Sequence, residues 1–438
     1  MRDAVIVDAV RTPVAKGKPG GAYHDIHPID LHAHVLRALL NRNPGLDPAE
    51  LDDVIGGTVG QVGEQSTNPA RLALLAAGFP ESVPGVTVDR QCGSSQQALS
   101  FAAQGLISGA YDMVIASGAE SMSRVPIGSP AYVDGTRAFV GGPAVEKRYG
   151  PLIPQGVSAE LIARKWAFSR TQLDDFAATS HQRAAAAWRN GWFDTQITRL
   201  GPSGADIDLS ADLAAGLAAR LSAGLAGLPA GLPAGLAADL PAGLSGGLAI
   251  DETIRPGSSV ETLAGLRPAF ADPRWEQRFG AIDWKVTAGN SSPVNDGAAA
   301  LLLTTSEIAA RHGWRPRARV HTATAVGDDP ILMLTGIIPA TAKVLARAGL
   351  TMSDIDAYEV NEAFASVVLA WQAETGADPA KVNVDGGALA IGHPLGASGA
   401  RLATTLLNTL ERTGGRYGLQ TMCEAGGTAN ATIIERLD

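Results

Sequence analysis

GVTVDRQCGSSQQALSFAAQGLISGAYDMVIASG, residues 85–118, reads as a β-type run, a turn of small polar residues, a helix-like run and a second β-type run. KVNVDGGALAIGHPLGASGARLATTLLNTLERTGGRYGLQTMCEAGG, residues 381–427, repeats that plan: a strand ending in V-x-V-D, a small-residue turn, a helix and a strand. Two copies of one unit predict two similarly folded halves packed together, with functional turns meeting at their interface. Elsewhere, β-branched runs such as AVIVDAV (4–10) and RARVHTATAV (317–326) alternate with amphipathic runs such as PIDLHAHVLRALLNR (28–42) and ATAKVLARAGL (340–350). That alternation is an α/β pattern.

The chain has 438 residues, 45% of them hydrophobic and 18% charged, enough to bury a large core in two or three domains. A net charge of -9 without any Lys/Arg run excludes a nucleic-acid surface. MRDAVIVDAVRTP enters a strand-like run with no basic leader and apolar signal core, and no apolar stretch is long enough to span a bilayer. A cytoplasmic protein with no membrane partner is expected. Two cysteines in such a chain suit a reducing compartment, and the lack of CxxC or HxxxH spacing argues against a metal. Ser210 to Leu248 is a near-repeat of Gly-Leu-Pro-Ala units, expected to be a loosely packed surface insertion.

Cys92 follows the run VTV and precedes SSQQALSFAAQGLI, so its sulfur should face the N–H groups that open a helix. The positive potential there favours thiolate, with a pKa below the ordinary thiol value of about 8.5, and a nucleophile. A small buried apolar residue at a strand end is the other reading, and position alone does not separate them. Three clusters add weight. His393 lies among glycines that permit close ligand approach and unusual dihedrals. Asn361, in YEVNEAFAS, sits between a strand and a helix, where an N-cap and a polar catalytic role are both open. Cys423 ends a β-type run before a glycine-rich turn whose N–H groups could face an oxyanion, so both cysteines are expected at corresponding strand-to-turn junctions of the two units.

Four motifs, VDRQCGSS (88–95), VNEAFAS (360–366), GGALAIGHPLGASGAR (386–401) and TMCEAGG (421–427), stand in the order and spacing of the thiolases. The chain resembles that family from DAVRTP (8–13) to CEAGGTANATIIERL (423–437), leaving out only the Gly-Leu-Pro-Ala stretch. The resemblance implies an α/β thiolase fold: two duplicated βαβαβαββ-type halves in an α/β/α/β/α core, with a loop domain inserted in the first. Residues 1–121 with 296–316 would form the N-terminal half, 122–295 the loop domain, with its low-complexity insertion near 203–249, and 317–438 the C-terminal half. It also implies an acyltransferase that cleaves 3-ketoacyl-CoA by a ping-pong path. Cys92 would carry the acyl group, His393 take its proton and Cys423 move the proton at C2. His393 and a water held by Asn361 would form the enolate hole, and the N–H groups of Cys92 and Ala425 the tetrahedral hole. Ala425 replaces a glycine of the usual C-x-G-G-G, which adds strain if the position needs a positive φ.

Coenzyme A is implied as substrate, with no permanently bound cofactor. By resemblance, Arg255 and Thr262 lie near its nucleotide end, Ala288 and Ser292 line the pantetheine tunnel, and Gln155, Ala363 and Phe364 border the substrate. Pro293 departs from the usual tunnel loop and Gln155 stands where methionine is usual, which suggests a bulky or oxygenated acyl group. GPLIPQGVSAEL (150–161) resembles degradative rather than biosynthetic members. A homodimer or homotetramer is implied. The alternatives are condensation of acetyl-CoA, a ketoacyl synthase, which would not need Cys423, and a non-catalytic acyl-CoA or lipid carrier, which would have little need for all four polar site residues.

Overall fold

The computed structural model describes residues 2–133, 135–137, 141–201 and 248–437. Most of the Gly-Leu-Pro-Ala stretch, residues 202–247, lies outside the described residues.

In chain order the first half comprises β1 (Val5–Arg11), α1 (Pro28–Arg42), β2 (Asp53–Gly57), α2 (Pro69–Ala76), β3 (Gly85–Val88), α3 (Ser94–Ser108) and β4 (Met113–Ser121). Two longer helices, α4 (Gln155–Lys165) and α5 (Arg170–Arg189), lie in the excursion that follows, and β5 (Asn295–Thr304) returns to the sheet. The rest comprises β6 (Ala318–Gly327), α6 (Ile337–Ala348), β7 (Ala357–Val360), α7 (Ala365–Thr375), α8 (Ser398–Thr413), β8 (Tyr417–Glu424) and β9 (Thr428–Arg436).

These strands form one sheet in the order β7-β8-β9-β6-β1-β5-β4-β2-β3. Among the described residues its halves meet where β1 pairs with β6, Val5 with Arg319 and Ile6 with Ala318. Each half has the same plan. β2 is parallel to β3 and β4, as β7 is to β8, while β4-β5-β1 and β8-β9-β6 are antiparallel. The halves fold back on the central helices α3 and α8, which share a core with both. α1 and α2 cover one outer face, and α6 and α7 the other. The result is the five-layer α/β/α/β/α arrangement.

The composition of α8 explains its central place. Leu402, Leu406, Leu407 and Leu410 are buried, each side chain contributing about 1.5–3 kcal/mol by area removed from water. Gly399 lets the helix touch α3, since a Cβ there would collide with Gln96. Gly57, at the end of β2, and Gly118, within β4, similarly leave room for Gly396 in the loop that leads into α8.

The repeat predicted from sequence is corrected in one element. KVNV is not a strand: Pro379–Lys381 is a 3-10 turn and only Val382 bridges to Tyr358. Asn383 has φ +46°, and its amide binds both the N–H of Val360 at 2.8 Å and its C=O at 2.9 Å. One side chain thus supplies the pairing that a neighbouring strand would give β7.

Candidate active site

Cys92 lies in the turn between β3 and α3, buried with Met122, Leu395, Leu402 and Met422. The helix start does not make it a thiolate. Burial in this apolar cluster pushes its pKa up, and Cys423 and Glu424 add to the rise; the Gln155 amide and the Cys92 N–H oppose it. The expectation of a depressed pKa is therefore corrected: desolvation of the sulfur outweighs the groups that favour its charged form, Gln155 and the Cys92 N–H.

Cys423 is fully buried in β8, paired across the ladder with Ala429. Its pKa is raised to about 12 by burial and by Glu424, against hydrogen bonds from its own N–H and Asn361. The two cysteines do not hold corresponding places. The counterpart of the Cys92 turn is the loop before α8, which carries His393, whereas the counterpart of β8 is β4, ending in Ala119, Glu120 and Ser121. The helix start that shared V-x-V-D pattern locates is real, but the second cysteine lies one strand later.

The hydrogen bonds of His393 fix its tautomer. Ser398 Oγ–H donates to Pro394 C=O at 2.7 Å, so at 2.6 Å the hydroxyl accepts from His393 Nδ1–H. Nε2 is left with its lone pair, 3.5 Å from Asn361 Nδ2. Burial and then Arg401 lower the pKa of His393 to about 3, so the ring is neutral and Nε2 can accept a proton. The His393 N–H donates to Asn295 Oδ1 at 2.8 Å, and Asn295 Nδ2 donates to Ala15 C=O at 2.8 Å. Glu120 accepts from Gly396 N–H at 2.8 Å and from Val59 and Gly60 N–H at 2.9 Å. The two halves hold this loop together.

Asn361 follows β7 directly, with its N–H on Thr421 C=O at 3.0 Å. It is not the cap of α7, whose N-cap residue is Phe364. Its Oδ1 is buried with no hydrogen-bond partner among the described residues. Ala425 has no positive φ; Gly426 and Gly427 do, at +84° and +77°. The turn's need for left-handed backbone falls on those glycines, and alanine is unstrained.

The residues assigned to the substrate divide. Gln155 opens α4, and its amide is among the groups that lower the Cys92 pKa against burial. Ser292 N–H donates to Ala363 C=O at 3.0 Å, and Ala363 and Phe364 are buried. Phe364 meets Phe270 edge-on at 5.9 Å, and Phe270 lies against Gly156, where a Cβ would strike its ring. Arg255, Thr262 and Ala288 are exposed. The Arg255 N–H donates to His181 Nδ1 at 3.1 Å, and Thr262 completes a capping box with Ser259. Ser398, Asn295, Glu120 and Glu424 were missed as site residues. Only Ser398, five residues after His393, left a readable signal.

Among the described residues no group of His, Cys, Asp and Glu could hold a metal, and no helix is long and apolar enough to cross a membrane.

The thiolase N-terminal domain matches residues 4–210 and 245–307, and the thiolase C-terminal domain residues 314–436. The steroid 3-ketoacyl-CoA thiolase FadA6 of Mycobacterium tuberculosis is 47% identical over 446 residues, covering 100% of this chain and 95% of that protein. A 3-ketoacyl-CoA thiolase of Erwinia tasmaniensis is 42% identical over 442 residues and 100% of both chains. The crystal structure of the Bacillus anthracis acetyl-CoA acetyltransferase superposes with a TM-score of 0.79 at 32% identity, over 100% of this chain and 99% of that one. With both domains matched and a central helix pair that presents Cys92 and His393, the chain belongs to the thiolase family.

Proposed function

We propose that the protein cleaves 3-ketoacyl-CoA thioesters with coenzyme A, in the degradative direction, giving acetyl-CoA and an acyl-CoA shortened by two carbons. The observation that carries this reading is the buried His393, whose Nδ1–H is held by Ser398 and whose Nε2 lone pair faces Asn361 Nδ2 at 3.5 Å, in the site that also buries Cys92 and Cys423.

Cys92 Sγ–H gives its proton to His393 Nε2 as the sulfur attacks the 3-keto carbon. The oxyanion is held by the N–H groups of Cys92 and Ala425. When it collapses, the C2–C3 bond breaks, and its electron pair moves into the enolate of acetyl-CoA. His393 Nε2–H and a water accepted by Asn361 Oδ1 stabilise the enolate oxygen, and Cys423 Sγ–H protonates C2. Cys423 thiolate then takes the proton of incoming coenzyme A, whose sulfur attacks acyl-Cys92. Cys92 leaves as thiolate and recovers its proton from His393.

Arg255 and Thr262 are proposed at the nucleotide end of coenzyme A, Ala288 and Ser292 along pantetheine, and Gln155, Ala363 and Phe364 beside the reacting carbons. A bulky, ring-bearing acyl group is proposed from the name of the 47% identical steroid 3-ketoacyl-CoA thiolase. Residues 122–295 are proposed as a loop domain over the site, between halves formed by 1–121 with 296–316 and by 317–438. The protein is proposed as a cytoplasmic homodimer or homotetramer. In support of an oligomer, β3 is an unpaired sheet edge with Val86 exposed, and Leu72, Leu75, Phe101 and Ile107 are exposed on the neighbouring helices.

Intact-mass and peptide mapping after mixing with straight-chain and ring-bearing 3-ketoacyl-CoAs tests the reading. An acyl group on Cys92, removed by added coenzyme A and absent from Cys92→Ser, is expected. Binding of every acyl-CoA without modification of Cys92 would favour the carrier instead. Faster turnover of plain alkyl substrates would remove the ring-bearing proposal alone.

A further inference from the structure

Glu424 directly follows Cys423 but has no part in the steps above. Its side chain is buried beside the nucleophile turn. Oε2 accepts from Thr428 Oγ–H at 2.6 Å, and Oε1 is buried with no hydrogen-bond partner among the described residues. The carboxyl packs on Gly93, the residue after Cys92: a Cβ built there would collide with Oε1. Asn430, on the facing strand β9, holds the same residue by donating from Nδ2 to Gly93 C=O at 3.1 Å. Glycine at 93 is thus required by the close approach of Glu424, and the carboxyl supports the turn from which Cys92 projects.

The charged and titratable groups facing Glu424 are Arg90 and Asp89 from the β3–α3 turn, Cys92 beyond them and Cys423 on its own strand. Arg90 favours the carboxylate and Asp89 disfavours it, but Arg90 is not hydrogen-bonded to Glu424, and burial dominates. The carboxyl is held up to about 8, against an ordinary value of 4.5, so it is protonated below about pH 8 and ionises above it. The carboxylate in turn raises the pKa of both cysteines. Negative charge must develop on each sulfur, and on an oxyanion at the Cys92 N–H, during turnover. A carboxylate behind Gly93 opposes all three.

We propose that Glu424 is a positioning residue that works in its neutral form, supporting the Cys92–Gly93 turn, and that its ionisation shuts the site down by opposing negative charge on the two sulfurs. This rests on the assignment of Cys92 and Cys423 to the chemistry.

The test is the pH profile, from 6 to 10, of thiolysis and of Cys92 alkylation by iodoacetamide read at the peptide, in the wild type and Glu424→Gln. Glutamine keeps the volume and an acceptor for Thr428 but cannot ionise. The wild-type kcat is expected to fall about tenfold per pH unit above about 8, and in Glu424→Gln, whatever its rate at pH 7, the fall should move up by at least one unit. Above pH 8 the alkylation rate should climb more steeply in the variant than in the wild type. Should Glu424→Gln fail to fold, Thr428→Val removes the bond that favours the carboxylate and should also shift the fall upward. An unmoved alkaline limb in the folded variant overturns the proposal. If Cys92 is never acylated, the catalytic reading fails instead; acylation with an unmoved limb sinks the Glu424 proposal alone.

Discussion

The turn before α3 and the loop before α8 hold the same place in the two halves of the molecule but have been built differently. In the first half β3 is a four-residue strand, and four residues, 89–92, carry the chain to Gly93, the N-cap of α3. In the second half the strand is reduced to the Val382 bridge, and residues 383–397 run as a loop to α8. The short turn leaves Cys92 no freedom beside the helix start. The longer loop packs against β2 and β4, where Gly57 and Gly118 make room, and it is pinned by Glu120 of β4 and Asn295 of β5. Cys92 and His393, the proposed nucleophile and base, thus come from one architectural position used twice, and the copy that sheds its strand has the longer loop.

The final strands diverge in the same way. β4 ends on Glu120, whose carboxylate accepts three backbone N–H bonds and one from Gln65. β8 ends on Cys423, the proposed acid/base, and on Glu424, whose carboxyl packs against Gly93 in the opposite turn. One strand end is an anchor, and the other carries the residues proposed for chemistry.

This division can be broken experimentally, beginning with the base proposed on the loop. His393→Gln is expected to lower kcat/KM for thiolysis by about 10²–10⁴-fold, the range of general acid–base catalysis. A loss below tenfold would mean that the long loop does not supply the base. Asn383→Gly, which keeps the positive φ but deletes the amide, leaves the Val360 N–H and C=O without that partner. A fall of about 2 kcal/mol in unfolding free energy is expected in urea titration; no change would mean that the backbone restores the missing strand. The smallest effect belongs to the turn after Cys423. Ala425→Gly should cost about 0.4–1 kcal/mol through added freedom of the unfolded chain, while a gain in stability would show that alanine is strained there.

Much of this was readable in local order. The β-branched and amphipathic runs gave the α/β class, and the strand-to-helix plan of residues 85–118 placed Cys92 at the opening of α3. The repeat led to two halves, and the four motifs to the family. KVNV misled because its composition suits a strand, while the pairing that decides the matter depends on Asn383 meeting Val360, 23 residues away. The spacing of the cysteines misled for a related reason: both follow β-type runs, but sequence does not say which strand of a repeat each run becomes.

Sequence by itself determined the family and the residues proposed to carry its chemistry, because motifs depend on side-chain type and nearest neighbours. Only the tertiary structure decided their protonation and partners. Desolvation raised the Cys92 thiol, Ser398 and Pro394 chose the proton position on His393, and residues 120 and 295 held a loop far later in the chain. Burial and hydrogen bonding are sums over everything packed around a group. They exist only once distant segments have met.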